Sequence, residues 1–499
     1  MKVPRHGNQV TIKGTAMTTY LSRVSANTLF LILIFTVVYH HDHNVSATLF
    51  VKIRPIIRVD ADSTASAPDG LSWATAFPTI QQGIEASFPP GNGEIWVAEG
   101  IYCPTIDLPV NIGIYGGFSG VETFRSERDW AAHPTIIDGK GTDICVTGAD
   151  HGILDGFIVR NGRPGMVNKN CCCVIVSNCT FRDNTSPSAF VMYGNYGAAI
   201  SNDDTSLTLT NCVFAGNSSF FGGAIFNRFS TLTADTCTFS DNAAAGDSGV
   251  PAASGGAIYN DLNNFLDLTD CVFVRNTAKL MGGAIATYDT SEGTISNCVF
   301  SGNTATDGGA LAGEGWFSPT LVNCTLAENT ATNGGAMYIR SSCFPSLTNC
   351  VLWNNAPNEL AGSPYDVMYS CVRGGFAGEG NIAADPLFTD AANGDFRLLP
   401  GSPCMDTGTA WDAPNTDIDG IARPQGAGFD MGAHEYKPTG EGEGEGEGEG
   451  CDGTPGCQGQ AGTMSSSNPN IHGSMLATAV AGIFLLSTMR RVRHPVQSR

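Results

Sequence analysis

Asn297-Cys298-Val299-Phe300-Ser301-Gly302-Asn303-Thr304-Ala305-Thr306-Asp307-Gly308-Gly309-Ala310-Leu311 is followed 26 residues on by Asn323-Cys324-Thr325-Leu326-Ala327-Glu328-Asn329-Thr330-Ala331-Thr332-Asn333-Gly334-Gly335-Ala336-Met337. The same frame extends to both sides. Cys179, Cys212, Cys237, Cys271, Cys298, Cys324 and Cys350 each have Phe or Leu two residues later. Three residues beyond that stand Asn184, Asn217, Asn242, Asn276, Asn303, Asn329 and Asn355. Glycine pairs follow at Gly222-Gly223, Gly255-Gly256, Gly282-Gly283, Gly308-Gly309 and Gly334-Gly335, with Gly197-Ala198-Ala199-Ile200 as a variant. Such self-similarity marks a solenoid.

The spacing inside one copy sets the geometry. Leu209, Leu268, Ile295, Leu321 and Leu347 lie three residues before a Cys, whereas Cys and Phe are two apart. A period of two broken by a step of three is a strand, a corner and another strand. The 26 residues between Cys298 and Cys324 are too few for strand, helix and return, and suit three short strands with three turns. Each repeat is then one coil of an all-β, right-handed parallel β-helix, about 4.8 Å from the next. Rows of Cys, Phe/Leu and Ala-Ile are expected inside. The Asn row belongs at a corner, where amides bond one another and the turn backbone. The glycine pairs supply turn conformations closed to other residues.

Stacking also explains the cysteines, 17 in all. In-register Cβ atoms about 4.8 Å apart exceed the usual 3.5 to 4.5 Å of a disulfide. The row is therefore expected to hold buried free thiols that pack as small hydrophobes. A line of thiols is also unsuited to a tetrahedral metal, which needs converging ligands. Cys171-Cys172-Cys173 lies outside the row and receives no assignment from the repeat.

Eight-residue insertions enter two copies at the same corner, giving loops Thr185 to Tyr196 and Ala243 to Ser254. These are expected to project from one side, where a solenoid often binds ligands.

Composition agrees with an exported β protein. Gly numbers 61, charged residues are only 15%, and the formal net charge of -21 disfavours a phosphate backbone, so no nucleic-acid partner is expected. Lys13 and Arg23, the apolar run Leu29 to Tyr39 and Val45-Ser46-Ala47 read as a cleaved export leader over residues 1–47. A Glu-Gly spacer fills 437–474, and an apolar run ending in Arg490, Arg491 and Arg493 fills 475–499. Self-repelling and without apolar surface, the spacer is expected to be disordered. This tail reads as a sorting or anchoring segment that holds a secreted, cell-surface monomer to the envelope.

With Gly-Gly-Ala-Ile and Phe-x-x-Asn in view, the coils over 161–380 resemble the polymorphic outer membrane protein repeat of bacterial surface proteins. The resemblance implies adhesion or another surface-contact role toward a glycan or protein. Gly70-Leu71-Ser72-Trp73, the helical stretch Thr79 to Ser87 and Glu94 to Tyr102 resemble the N-terminal cap and first coil of exported β-helix proteins, within 48–160. Asp385-Pro386-Leu387-Phe388, Asp417-Ile418-Asp419-Gly420 and Asp430-Met431-Gly432-Ala433-His434-Glu435-Tyr436 resemble a choice-of-anchor module, type Q, within a C-terminal cap over 381–436.

The rival class is a polysaccharide lyase or glycoside hydrolase, for which fold alone gives no licence. A hydrolase needs two carboxylates roughly 5 to 10 Å apart, and a lyase needs acids for calcium beside an Arg or Lys base. Asp203, Asp204, Arg228, Asp235, Asp241, Asp261 and Arg275 are the candidates, but no grouping on three consecutive coils at one strand emerges from the spacing. His133, His151 and His434 are the histidines of the folded body. No catalytic residue, metal ligand or cofactor is assigned. Asp417 and Asp419 could hold a structural calcium, although a turn is the simpler role for them.

Overall fold

The computed structural model describes residues 56–438, except 88–92, 104, 187–195, 246–252, 290, 341–342 and 363–364. It also describes strand backbone at Val10–Ile12, Leu33–Tyr39 and Val45–Val51, which pair antiparallel in a small sheet. The rest of 1–47, the greater part of the two insertion loops (187–195 and 246–252) and residues 439–499 lie outside the described residues, so the readings of leader, loop projection, spacer and anchor fall there. No helix among the described residues is long and apolar enough to cross a membrane.

The chain winds as a right-handed parallel β-helix with three long parallel sheets. The first, here the Leu sheet, has 12 strands and includes Ser206–Thr210, Thr231–Asp235, Asn264–Thr269 and Thr320–Val322. The second, the Phe sheet, has 11 and includes Val213–Ala215, Thr238–Ser240 and Val299–Ser301. The third, the Gly-Gly sheet, has 10 and carries the strands after each glycine pair, such as Ile225–Arg228 and Ile258–Asp261. The expected three strands per coil gain a short fourth in three coils, at Ser218–Ser219, Ala243–Ala244 and Thr277–Ala278.

Two left-handed corners turn the chain around the Phe sheet. The residue before each row Cys has positive φ, from +51° at Asn211, Asn297 and Asn323 to +55° at Thr236. Asn tolerates this region because its short polar side chain bonds locally, which explains its dominance there. The residue before each ladder Asn is left-handed as well, as at Asp241, Arg275 and Glu328.

The glycine pairs serve two separate needs. The first of each pair has positive φ, +62° at Gly222 and +61° at Gly282. The second is needed for close approach: a Cβ on Gly283 would meet Gly309 O at 2.1 Å. The left-handed conformation is thus confined to one member of the pair.

Inside the coil, Phe181, Phe214, Phe239, Phe273 and Phe300 stack with centroids 5.3, 4.7, 4.6 and 4.7 Å apart. The Cys row and the Leu residues are buried with them in one continuous core. At the N-terminal end, helix Ile80–Ala86, capped by Thr79, buries Ile80 and Ile84 in the same core beside Ile57, Val59 and Ile95. It covers an end that would otherwise be an open sheet edge.

The C-terminal segment packs against the flank of the last coils. Asn297 Nδ2 donates to Thr416 O at 2.7 Å, Asn323 Nδ2 to Asp430 O at 2.9 Å and Asn349 Nδ2 to Thr409 O at 2.8 Å. Phe396 and Ala433 cover Val299 and Ala327 on the outer face of the Phe sheet, and Leu398, Cys404 and Met431 cover Val351. This burial explains why outward positions of those strands are apolar.

Candidate functional site

The ladder asparagines form one continuous chain. Each Nδ2 donates to the next Oδ1, from Asn184 through Asn217, Asn242, Asn276, Asn303 and Asn329 to Asn355, at 2.9 to 3.0 Å. At the end, Glu359 accepts from Asn355 Nδ2 and from its backbone N–H. A second ladder escaped the sequence reading: Asn168, Asn202, Asn227 and Asn260 are linked Nδ2 to Oδ1 at 2.8, 2.7 and 2.9 Å inside the Gly-Gly sheet. Its signal was an Asn five residues after Gly197, Gly222 and Gly255. Both ladders build the rod, and neither faces solvent.

The seven row cysteines are buried thiols, and the described cysteines outside the row are thiols too. Burial pushes Cys179 up to about 12 and drives Cys298 and Cys350 well above the ordinary thiol value. Their burial in the continuous core makes them packing groups, although hydrogen bonds from neighbouring row thiols pull Cys237 and Cys324 the other way, below the ordinary thiol value.

Solvent-facing chemistry gathers at the corner where the Gly-Gly sheet passes into the next Leu strand. Register aligns Lys169, Asp203, Arg228, Asp261, Tyr288 and Glu314 on successive coils. This corrects the expectation that no charged grouping recurs on three consecutive coils at one strand. From Asp203 on, these residues stand six after Gly197 or after the first glycine of a pair, an offset at which the residue type changes from coil to coil. Asp204 follows Asp203 at this corner, whereas Asp235, Asp241 and Arg275 stand elsewhere: Arg275 pairs with Asp241 at the Asn corner, 2.8 Å apart.

Arg228 clamps Asp203 through Nε–Oδ1 at 3.0 Å and Nη2–Oδ2 at 2.6 Å. Burial lifts the Asp261 carboxyl above the usual carboxylate range; Arg228 opposes the shift and Asp289 adds to it. Two coils on, Arg340 Nη1 donates to Glu314 Oε2 at 2.9 Å. Tyr288, Asp289, Glu314, Gly315 and Arg340 line a cavity of about 370 Å³.

Each of five consecutive coils carries one exposed aromatic ring at this corner or on the strands that flank it: Tyr288 ends a Gly-Gly strand, Phe229, Trp316 and Phe344 lie in the turn, and Phe265 lies in a Leu strand, paired with Thr231. Trp316 is 61% and Phe344 67% exposed. Elsewhere on the Gly-Gly sheet outward aromatics are covered, as Phe226 and Tyr259 are by Tyr196 and Phe221 beside the insertion sites. The corner and its flanking strands therefore combine exposed rings, carboxylates and two guanidinium groups on successive coils.

At the far end, Asp417 Oδ1 accepts from Asp419 N–H at 3.0 Å and Ile421 N–H at 2.7 Å, and Oδ2 accepts from Glu435 N–H at 2.8 Å. These bonds make Asp417 the anchor of a turn. His434 Nδ1 sits 3.2 Å from Asp419 Oδ2.

The family model described as "Right handed beta helix region" matches residues 131–279 and 188–364. The fold is that of a right-handed β-helix. No curated protein matches the sequence. Among solved structures, pectate lyase Pel9A is 13% identical over 77% of this chain and 97% of that one, with a TM-score of 0.49. The catalytic unit of a thermostable GH87 alpha-1,3-glucanase from Streptomyces thermodiastaticus strain HF3-3 is 12% identical over 68% and 72%, with a TM-score of 0.29. Neither superposition is close enough to carry an argument about activity.

Proposed function

We propose that this chain is an exported, envelope-held protein that binds an extended neutral polysaccharide along the aromatic edge, without cleaving it. The observation that carries this reading is the exposed ring on each of five successive coils. A coil step of about 4.8 Å is close to the length of one sugar in an extended chain. Sugar C–H faces stack on aromatic rings, while carboxylates and guanidinium groups bond the hydroxyls and fix orientation. Asp203, Asp261, Asp289 and Glu314 outnumber Arg228 and Arg340 there, and the whole chain carries -21, which disfavours acidic glycans. The adhesin-like resemblance of the repeat and the leader and tail motifs agree with such a surface role.

Affinity electrophoresis through gels cast with neutral polysaccharides tests it. Retention is expected, with Trp316→Ala and Tyr288→Ala each weakening it about tenfold, the scale of losing one central contact. Absence of retention by every neutral polysaccharide, or retention unchanged in both variants, overturns the reading.

A second reading, hydrolysis, is favoured by one feature: the Asp261 carboxyl is raised by burial near the carboxylate of Asp289, as a general acid beside a base would be. Release of reducing ends that is lost in Asp261→Asn while retention persists would replace the binding reading by this one.

A further inference from the structure

Cys171-Cys172-Cys173 forms the corner between strands Met166–Lys169 and Val174–Ser177. Cys171 is buried, with Sγ 3.8 Å from Thr205 Oγ1. Cys172 and Cys173 are exposed. One coil earlier the same corner is Asp150-His151, just before strand Ile153–Asp155. The pairing of Ile153 with Ile175 sets His151 level with Cys173 on the neighbouring coil.

Both residues have left-handed backbone, φ +54° at His151 and +58° at Cys173. For a residue with a Cβ that conformation is strained. The two coils are tied at this point by His151 N–H to Cys172 O at 2.9 Å and by Cys172 N–H to Asp150 Oδ1 at 2.8 Å. Cys172 Sγ lies 3.8 Å from His151 Nε2, and the three ligand atoms of His151, Cys172 and Cys173 all fall within 4.8 Å of one another.

The geometry points to a thiophilic metal site in which His151, Cys172 and Cys173 hold a zinc-class divalent cation, with the Asp150 carboxylate beside them for the fourth position. A tetrahedral ion with bonds of about 2.3 Å to sulfur and 2.0 Å to nitrogen separates its ligand atoms by roughly 3.5 to 3.8 Å. The Cys172–His151 edge already has that length. The remaining edges close by rotation of exposed side chains. On binding, each thiol loses its proton to solvent and the imidazole coordinates through a neutral nitrogen. Unlike the Cys row, these ligands converge from two coils onto one point. Cys172 and Asp150 also line a cavity of about 310 Å³ that reaches Asp204 and Phe229, so the ion stands at the start of the aromatic edge. The inference does not depend on polysaccharide binding.

The test is titration of the reduced, full chain with Co²⁺ as a spectroscopic probe, followed by competition with Zn²⁺. One equivalent is expected to bring up tetrahedral bands and a thiolate charge-transfer band, both bleached by zinc. Cys172→Ser and Cys173→Ser are each expected to remove most of the charge-transfer intensity, and His151→Ala to weaken binding at least tenfold. Cys103→Ser, outside the cluster, is the control and leaves the bands unchanged. Peptide mapping after alkylation gives a second readout on the unmutated chain, with zinc protecting Cys172 and Cys173 specifically. Lack of a charge-transfer band, its survival in both serine variants, unprotected Cys172 and Cys173, or their recovery as a mutual disulfide overturns the site.

Discussion

Asn303 Oδ1 accepts two hydrogen bonds from Asn276, one from the backbone N–H at 2.9 Å and one from Nδ2 at 3.0 Å. Asn276 Nδ2 donates in turn to Phe239 O at 2.9 Å. Each interior ladder side chain thus satisfies backbone groups of the preceding coil and donates to the amide oxygen of the next, as Asn276 accepts from Asn242 N–H and donates to Phe239 O and Asn303 Oδ1.

Asn276→Ala is expected to strand the Asn242 amide donors and the Phe239 carbonyl in a buried corner. Each orphaned group costs about 1 to 3 kcal/mol, so a loss of about 3 to 5 kcal/mol is expected in urea unfolding. Asn184→Ala, at the start of the row, is expected to cost less. The Asn184 Oδ1 receives a bond from Gly162 N–H where the interior members receive two. Equal losses at both positions would contradict the ladder as the source.

The thiol row makes a different prediction. Alkylation of the native chain is expected to reach Cys172 and Cys173 while Cys212, Cys271, Cys298, Cys324 and Cys350 stay unmodified until the chain unfolds, because those five are buried. Cys298→Ala removes one sulfur from a packed row and is expected to cost about 1 kcal/mol. Cys298→Ser is expected to be tolerated, since Ser296 O, 3.2 Å from the Sγ, can accept the hydroxyl proton. Peptide mass mapping and denaturant midpoints check both statements.

Residues at a fixed offset within each coil were readable before any coordinates. Cys298 and Cys324, or Asn303 and Asn329, recur because every coil needs the same corner, so spacing alone revealed them. Asp203, Arg228 and Asp261 also share an offset, but their chemistry changes from coil to coil, so no motif announced them. The aromatic edge was hidden for a stronger reason. Phe229 directly follows its Gly-Gly strand, Trp316 lies two residues beyond Glu314, and Phe344 lies five beyond Ile339. That corner varies in length, so the rings share no offset within the coil and show no period in sequence. Docking of the C-terminal segment was hidden too, because Asn297, Asn323 and Asn349 look like ordinary repeat members yet use their amides on Thr416, Asp430 and Thr409.

Glu359 makes stability depend on pH. Burial lifts its carboxyl to about 7, although bonds from Asn355 pull it down. The folded chain therefore holds a proton there that the unfolded chain releases near pH 4.3. The sign follows: this contribution is full below about pH 4.3, falls as pH rises, and is gone above about 7. Asp430, raised by burial to about 6, acts in the same direction over a lower window. Glu359→Gln is expected to match the parent at pH 4 and exceed it at pH 8 in thermal unfolding. A variant less stable at pH 8 would mean that the ionised carboxylate is the favoured partner of Asn355.

Arg423 and Glu435 hold the C-terminal segment together from inside, with side chains 0% and 1% exposed and Nη1–Oε2 at 2.8 Å. Arg423 Nη2 also donates to Gly432 O at 3.0 Å, and Glu435 accepts from Gln425 N–H at 2.9 Å. Removing one charge leaves the other buried and uncompensated, a loss of about 3 to 5 kcal/mol. Arg423→Ala is therefore expected to release the segment 385–436 to limited proteolysis while the coils keep their β signature in circular dichroism. Replacing the pair together, Arg423→Met with Glu435→Gln, removes both charges and fills the same volume. That double variant is expected to be cleaved more slowly than Arg423→Ala, since a buried pair lost whole costs less than a buried charge left alone. Cleavage of the two at equal rates would place the holding force in the Asn297, Asn323 and Asn349 contacts instead.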